Sequence, residues 1–94
     1  MNLQEFEASL HAQRYDEIVT VEKAPGYLLG EHKHAFDACA LITDGQIDIA
    51  VDGVMQSYRV GDVFRVPANT VHTESAGPAG VVYRAGRRHH TATS

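Results

Sequence analysis

The sequence has little of what several function classes need. It carries one cysteine, Cys39, in 94 residues, so no disulfide can form within the chain. That excludes a disulfide-stapled secreted scaffold and fits a reducing compartment. Basic residues are outnumbered, with 8 Lys and Arg against 12 Asp and Glu and a formal net charge of −4. Such a balance provides no general phosphate-binding surface, and nucleic acid is not an expected partner. The only basic cluster is Arg84, Arg87, Arg88, His89 and His90, read as a solvated tail. No apolar run approaches the length of a membrane span, so no membrane partner is expected. The N-terminus, Met1-Asn-Leu-Gln-Glu-Phe-Glu, has acids where a signal peptide has bases. A soluble cytoplasmic protein is the expectation.

What is present suffices for one small domain. The chain is 44% hydrophobic, ordinary for a globular protein and too much for a disordered one. Leu3, Phe6 and Leu10 recur at helical spacing, which predicts a short helix over residues 2–13. Asn2 and Glu5 have the form of a capping box at its start. A helix this short needs a surface to pack on.

From Tyr15 the pattern becomes that of strands. Tyr15–Glu22 is rich in β-branched residues, and Tyr27–His34, Ala38–Thr43, Gln46–Val51, Met55–Val60, Val63–Val66, Val71–Glu74 and Val81–Arg84 follow as further short strands. Ala24-Pro25-Gly26, Asp44-Gly45, Asp52-Gly53, Gly61-Asp62, Pro67-Ala-Asn-Thr70 and a loop over residues 76–80 punctuate them. Ile47, Ile49 and Val51 share one face, and Asp52-Gly53 is a strong hairpin signal. Even spacing of such strands predicts an all-β barrel or sandwich, with antiparallel neighbours because the turns are too short for crossovers. The expected organisation is a helical segment over residues 1–14 packed on the barrel, a barrel over 15–86, and a flexible tail over 87–94.

Six histidines are present, and two of them, His32 and His34, lie two residues apart on a predicted strand. Alternation aims both to one face and Lys33 to the other. Imidazole suits zinc, copper, iron and nickel, and two rings alone hold a metal weakly. His72, after the Pro67 turn, is the candidate third ligand, and Glu74 shares its face two residues on. Three histidines with open positions are the arrangement of catalytic metal sites. Surface histidines on a barrel exterior are the bland alternative.

The residues also resemble the cupin family. Its first motif, G-x5-H-x-H-x(3,4)-E-x6-G, is matched by Gly26, His32, His34 and Gly45, with Ala38 in the glutamate place. Its second, G-x5-P-x-G-x2-H-x3-N, is matched by Gly61, Pro67 and His72, with Asn69 for the glycine and Ala76 for the asparagine. Asparagine tolerates the positive φ of such a turn, so that departure is mild. The resemblance implies a double-stranded β-helix, a divalent transition metal (Zn, Fe, Mn, Ni or Cu) on His32, His34 and His72, and a homodimer. Alanine cannot ligate, so the fourth position falls to water, to Asp37 or Cys39 through a bulge, or to Glu74. Water is preferred here, with Asp37 orienting an imidazole or capping a loop, and Cys39 a small buried hydrophobe.

Three functions follow as expectations. One is an enzyme of the oxygenase, isomerase or lyase kind acting on a small oxygenated organic molecule, with Glu74 as catalytic base. Another is a non-catalytic module that binds or senses a small ligand. The third is a scaffold whose site has decayed with the loss of the glutamate. Tyr27, Ile42, Phe64 and Tyr83 are expected around the mouth.

Overall fold

The structure, a computed structural model, describes residues 1–89; residues 90–94, including His90 of the expected tail, lie outside the described residues. A helix α1 (Leu3–Ala12) precedes six strands: β1 (Glu17–Lys23), β2 (Leu28–His32), β3 (Phe36–Val51), β4 (Val54–Arg59), β5 (Val63–Val66) and β6 (His72–His89). Among the described residues no helix is long and apolar enough to cross a membrane.

The helix starts where its cap requires. Asn2 Oδ1 accepts the Glu5 N–H at 2.8 Å, and Glu5 Oε1 reaches back to the Asn2 N–H at 3.4 Å. Phe6 and Leu10 are fully buried, whereas Leu3, at the exposed first turn, stays in solvent. Burying each of the two contributes roughly 1.5–3 kcal/mol. Their partners are Tyr15, Cys39 and Leu41, so α1 covers the outer face of β3. Cys39 is thus the packed hydrophobe expected of it.

The long strands β3 and β6 are antiparallel partners from Phe36↔His89 to Ala50↔Thr73. Their far halves take different neighbours. β1 and β5 flank one half, through pairs such as Val21↔Tyr83 and Ala40↔Phe64. β2 and β4 flank the other, through Leu29↔Glu74 and Ile49↔Gln56. Two four-stranded halves therefore share two bent strands and close on one core of Ala40, Ile42, Ile47, Ile49, Phe64, Val66, Val81, Tyr83 and Ala85. This is the all-β double-stranded β-helix with a short N-terminal helix.

The eight predicted strands become six because two expected breaks do not separate strands, and the strand expected over Tyr27–His34 is shorter, Leu28–His32. Asp44-Gly45 and residues 76–80 are bends within β3 and β6, not turns between strands. Gly45 has φ +71, and its pair Gly45↔Val81 is kept while the register shifts on both sides. Residues 77–80 bulge out between the pairs Gly45↔Val81 and Ile47↔Ala76. By contrast, Asp52 and Gly53 form the expected hairpin turn, both at positive φ (52 and 77), between Val51 and Val54.

The tail prediction for residues 87–89 is corrected by β6, which runs on to His89. Acids from three other segments hold this end. Arg88 pairs with Asp37 at 3.0 Å, and His89 meets Asp16 through both its backbone N–H and its ring. Arg84 likewise binds Glu7 of α1 at 2.7 Å.

Candidate metal centre

The three histidines come from two places that the fold brings together. β2 pairs with the start of β6, so His32 lies opposite His72. A regular ladder from Leu29↔Glu74 would set residue 31, not 32, against His72. One extra residue, in the Gly30-Glu31 stretch, makes a bulge that turns His32 to the face of Leu29. His34 is not on the strand, which ends at His32. It is held instead by its carbonyl, which accepts the Asn69 N–H at 2.7 Å, and by its ring, stacked on Phe36 at 4.8 Å and 17°. Asn69 has φ 63, the left-handed turn geometry expected of it. The N–H of the neighbouring Ala68 is fixed by Asp37 Oδ1 at 2.8 Å. Asp37 therefore caps this turn and pairs with Arg88; it does not join the ligand group.

That group is His32, His34, His72 and Glu74, with one ligand atom from each and all four within 4.8 Å of one another. Its hydrogen bonds fix the ring orientations. His32 Nδ1 donates to the Gly30 carbonyl at 2.7 Å, and His72 Nδ1 donates to the Thr70 carbonyl at 2.8 Å. A carbonyl only accepts, so the proton of each neutral ring sits on Nδ1 and its Nε2 presents a lone pair. Both Nε2 atoms face the same oxygen, Glu74 Oε2, at 3.1 and 3.0 Å. An ionised carboxylate also only accepts. Three lone pairs thus converge on a space that a cation would satisfy. Donors about 2.1 Å from one ion and at right angles lie about 3 Å apart, so the residues present fit a metal.

Burial supports the same reading. His72 is 2% exposed and is the one buried polar side chain among the described residues. Burial, and then the neighbouring His32 and His72, push the His34 pKa below its ordinary value, favouring the neutral ring that ligation requires. Burial raises the Tyr27 and Tyr83 phenols, and the Glu74 carboxylate raises both further.

A cavity of about 180 Å³ opens beside the four residues. Tyr27, Phe64 and Tyr83 line it as expected, whereas Ile42 does not and belongs to the core. Val21, Lys23, Leu29, Phe36, Val66, Ala85 and Arg87 line it as well, without being expected there. Arg87 was legible in principle, because Val81, Tyr83, Ala85 and Arg87 continue one period-2 stripe. Glu74 is the only acid in this lining among the described residues.

Residues 19–81 match the sequence profile of the cupin domain. No curated protein sequence matches the chain. Among solved structures, KdgF from Halomonas sp. is 23% identical, with a TM-score of 0.64 over 78% of this chain and 68% of that one. The DMSP lyase DddQ from Ruegeria pomeroyi DSS-3 is 17% identical, with a TM-score of 0.70 over 82% of this chain and 40% of that one. The cupin domain of Schizosaccharomyces pombe Cnp3 is 17% identical, with a TM-score of 0.69 over 78% of this chain and 55% of that one. At these identities the likeness concerns the fold. A profile match that spans well over half of the chain, on a fold shared with these structures, makes the chain a member of the cupin domain family.

Proposed function

We propose that the chain is a metal-dependent enzyme acting on a small oxygenated organic molecule, of the oxygenase, isomerase or lyase kind. The observation that carries this is the convergence of the His32 and His72 Nε2 lone pairs on Glu74 Oε2, with both Nδ1 atoms tied to carbonyls. His32, His34, His72 and Glu74 would hold the ion. A divalent transition metal bound there would act as a Lewis acid toward a carbonyl or carboxylate oxygen of the substrate.

The protein's own groups prepare the rest. The carbonyls of Gly30 and Thr70 keep two imidazoles in the ligating tautomer. Val21, Leu29, Phe64, Val66 and Ala85 form an apolar wall that displaces water from the reacting group. Burial and the Glu74 carboxylate raise the Tyr27 phenol, which keeps its proton at the edge of the site. The distances favour Glu74 as the fourth donor in place of the residue missing at Ala38, ahead of its expected role as base.

One experiment separates these roles. Protein purified without chelator should hold about one transition metal per chain, and His72→Ala should lose it. Glu74→Gln should lose metal if Glu74 is a donor; it should keep metal and lose only turnover if Glu74 is the base. A wild-type protein with little metal, unaffected by His72→Ala, would sink the centre. A panel of small oxygenated substrates, run with and without air, decides catalysis; binding without conversion would leave the small-ligand module.

A second copy of the chain is the other proposed partner. The outer edge of β4 carries the exposed Val54 and Met55, which supports pairing between copies, and mass in solution tests it.

A further inference from the structure

Three arginines on β6 have different surroundings. Arg84 and Arg88 lie on the opposite face of the strand and are each held by an acid and a second acceptor. Arg84 binds Glu7 and Thr20, and Arg88 binds Asp37 and the Gln13 carbonyl. Arg87 lies on the inner stripe with Val81, Tyr83 and Ala85, and lines the cavity. Its closest acid is Glu17, with Nη1 3.7 Å from Oε1, beyond hydrogen-bond length. Its guanidinium makes no side-chain hydrogen bond among the described residues. It rests on the Phe36 ring at 5.1 Å, and Phe36 in turn stacks on His34. The planar fork is therefore positioned, close to the metal group, with its donors unspent.

Its cross-strand partner is Ala38, which also lines the cavity. A methyl group there leaves room beside the guanidinium. The cavity, about 180 Å³, has space for about six waters at ~30 Å³ each, and so for a ligand on the order of six to eight non-hydrogen atoms. Lys23, at the opposite end of the β1–β6 ladder, lines the same cavity and has no carboxylate within ion-pair distance among the described residues. In a chain of net charge −4, the cavity thus collects two cations against one acid, and that acid is already engaged by histidines.

We propose that Arg87, with the space beside Ala38, is an anion subsite, and that the ligand of this cavity is a small organic carboxylate. Its acid group takes two parallel N–H···O bonds from the guanidinium, and its other oxygenated end reaches the histidine group. The first half stands on Arg87 alone; the second rests on the metal-enzyme reading above.

The test uses a matched pair, lactate and lactamide, titrated by calorimetry into the full-length protein, with metal content measured in parallel. Wild type should bind lactate at least about tenfold more tightly than lactamide, as a charge-assisted bidentate pair provides. Arg87→Ala should bring the ratio near one with metal content unchanged. Arg87→Lys should restore part of it, because an ammonium keeps the charge and loses the fork. If Arg87→Ala does not fold, Arg87→Gln takes its place under the same expectations. A wild-type ratio near one overturns the proposal, as does an unchanged ratio in the variant, or no binding of lactate, glycolate or pyruvate at millimolar concentration. A metal-free wild type that keeps an Arg87-dependent preference sinks the metal reading and leaves the subsite; a metal-loaded protein with no preference does the reverse.

Discussion

Ala38 and Arg87 are paired directly across β3 and β6, and both face the cavity beside His34. A carboxylate returned to position 38 would stand about 5 Å from the arginine stem, measured between Cβ atoms. Ala38→Glu should therefore occupy the guanidinium and weaken carboxylate binding by about tenfold. Glu74→Ala should cost more metal affinity than the roughly 10–100-fold typical of losing an outer partner. The double variant should regain metal, because the new carboxylate enters the same cavity from another wall. Metal per chain after dialysis against a weak chelator decides it. A double variant as empty as Glu74→Ala alone would mean that the two positions do not serve one centre.

The bulge at Gly30-Glu31 is what brings His32 to the inner face. Deleting Glu31 should restore a regular ladder in which His32 is two residues after Leu29, still opposite His72 and on the inner face. The expected result is a folded protein, by its circular dichroism, that keeps metal where His32→Ala loses it. Loss of metal by the deletion variant as complete as in His32→Ala would show that the bulge does more than absorb one extra residue.

Much of this was readable from the residues, for physical reasons that also mark where reading stops. Period-2 alternation, the Asp52-Gly53 hairpin and the capping box are local signals, and the chain obeys them. His72 was identifiable through its motif, and Asn69 through its tolerance of positive φ. The bulge in β2 was not, because Gly30-Glu31 looks the same in a regular strand. The shared face of His32 and His34 was inferred from an alternation that the strand end at His32 cuts short; the rings meet nonetheless. Asp44-Gly45 has the composition of a turn, and only the long-range pairing with Val81 makes it a bend. Arg87 was assigned to a solvated tail because its partners, Ala38 and Phe36, lie some fifty residues earlier in the chain.

Gly45 is where β3 bends, at φ +71 and against the carbonyl of Gly80. A Cβ would collide with that backbone oxygen, and the left-handed conformation itself costs an L-residue roughly 1–2 kcal/mol. Gly45→Ala should therefore destabilise by more than about 2 kcal/mol, measured by urea unfolding, whereas Gly53→Ala, with open space around it, should cost only about the conformational term. Equal losses at the two sites would deny any role to the contact between the bent strands.

The histidine group also sets a pH window. Burial, then His32 and His72, hold the His34 pKa below the value of 6.5 that it has when unfolded. Below that value the unfolded chain takes up a proton that the folded one does not, so the metal-free protein loses stability as pH falls through 6.5. The loss levels off once pH drops beneath the folded value, where both states are protonated. Asp16 acts in a separate, more acidic window. The backbone N–H and ring of His89 lower its pKa from 3.8, so its contribution is present above 3.8 and fades as pH falls through the folded value. Urea midpoints of chelator-treated protein, taken from about pH 8 to pH 5, should decline toward acid. His34→Gln should flatten part of that decline and leave the more acidic transition in place. Metal makes the dependence steeper in the same direction, because ligation needs neutral rings and protons displace the ion. A metal-free His34→Gln protein with the same slope as wild type would show that His34 does not carry the effect.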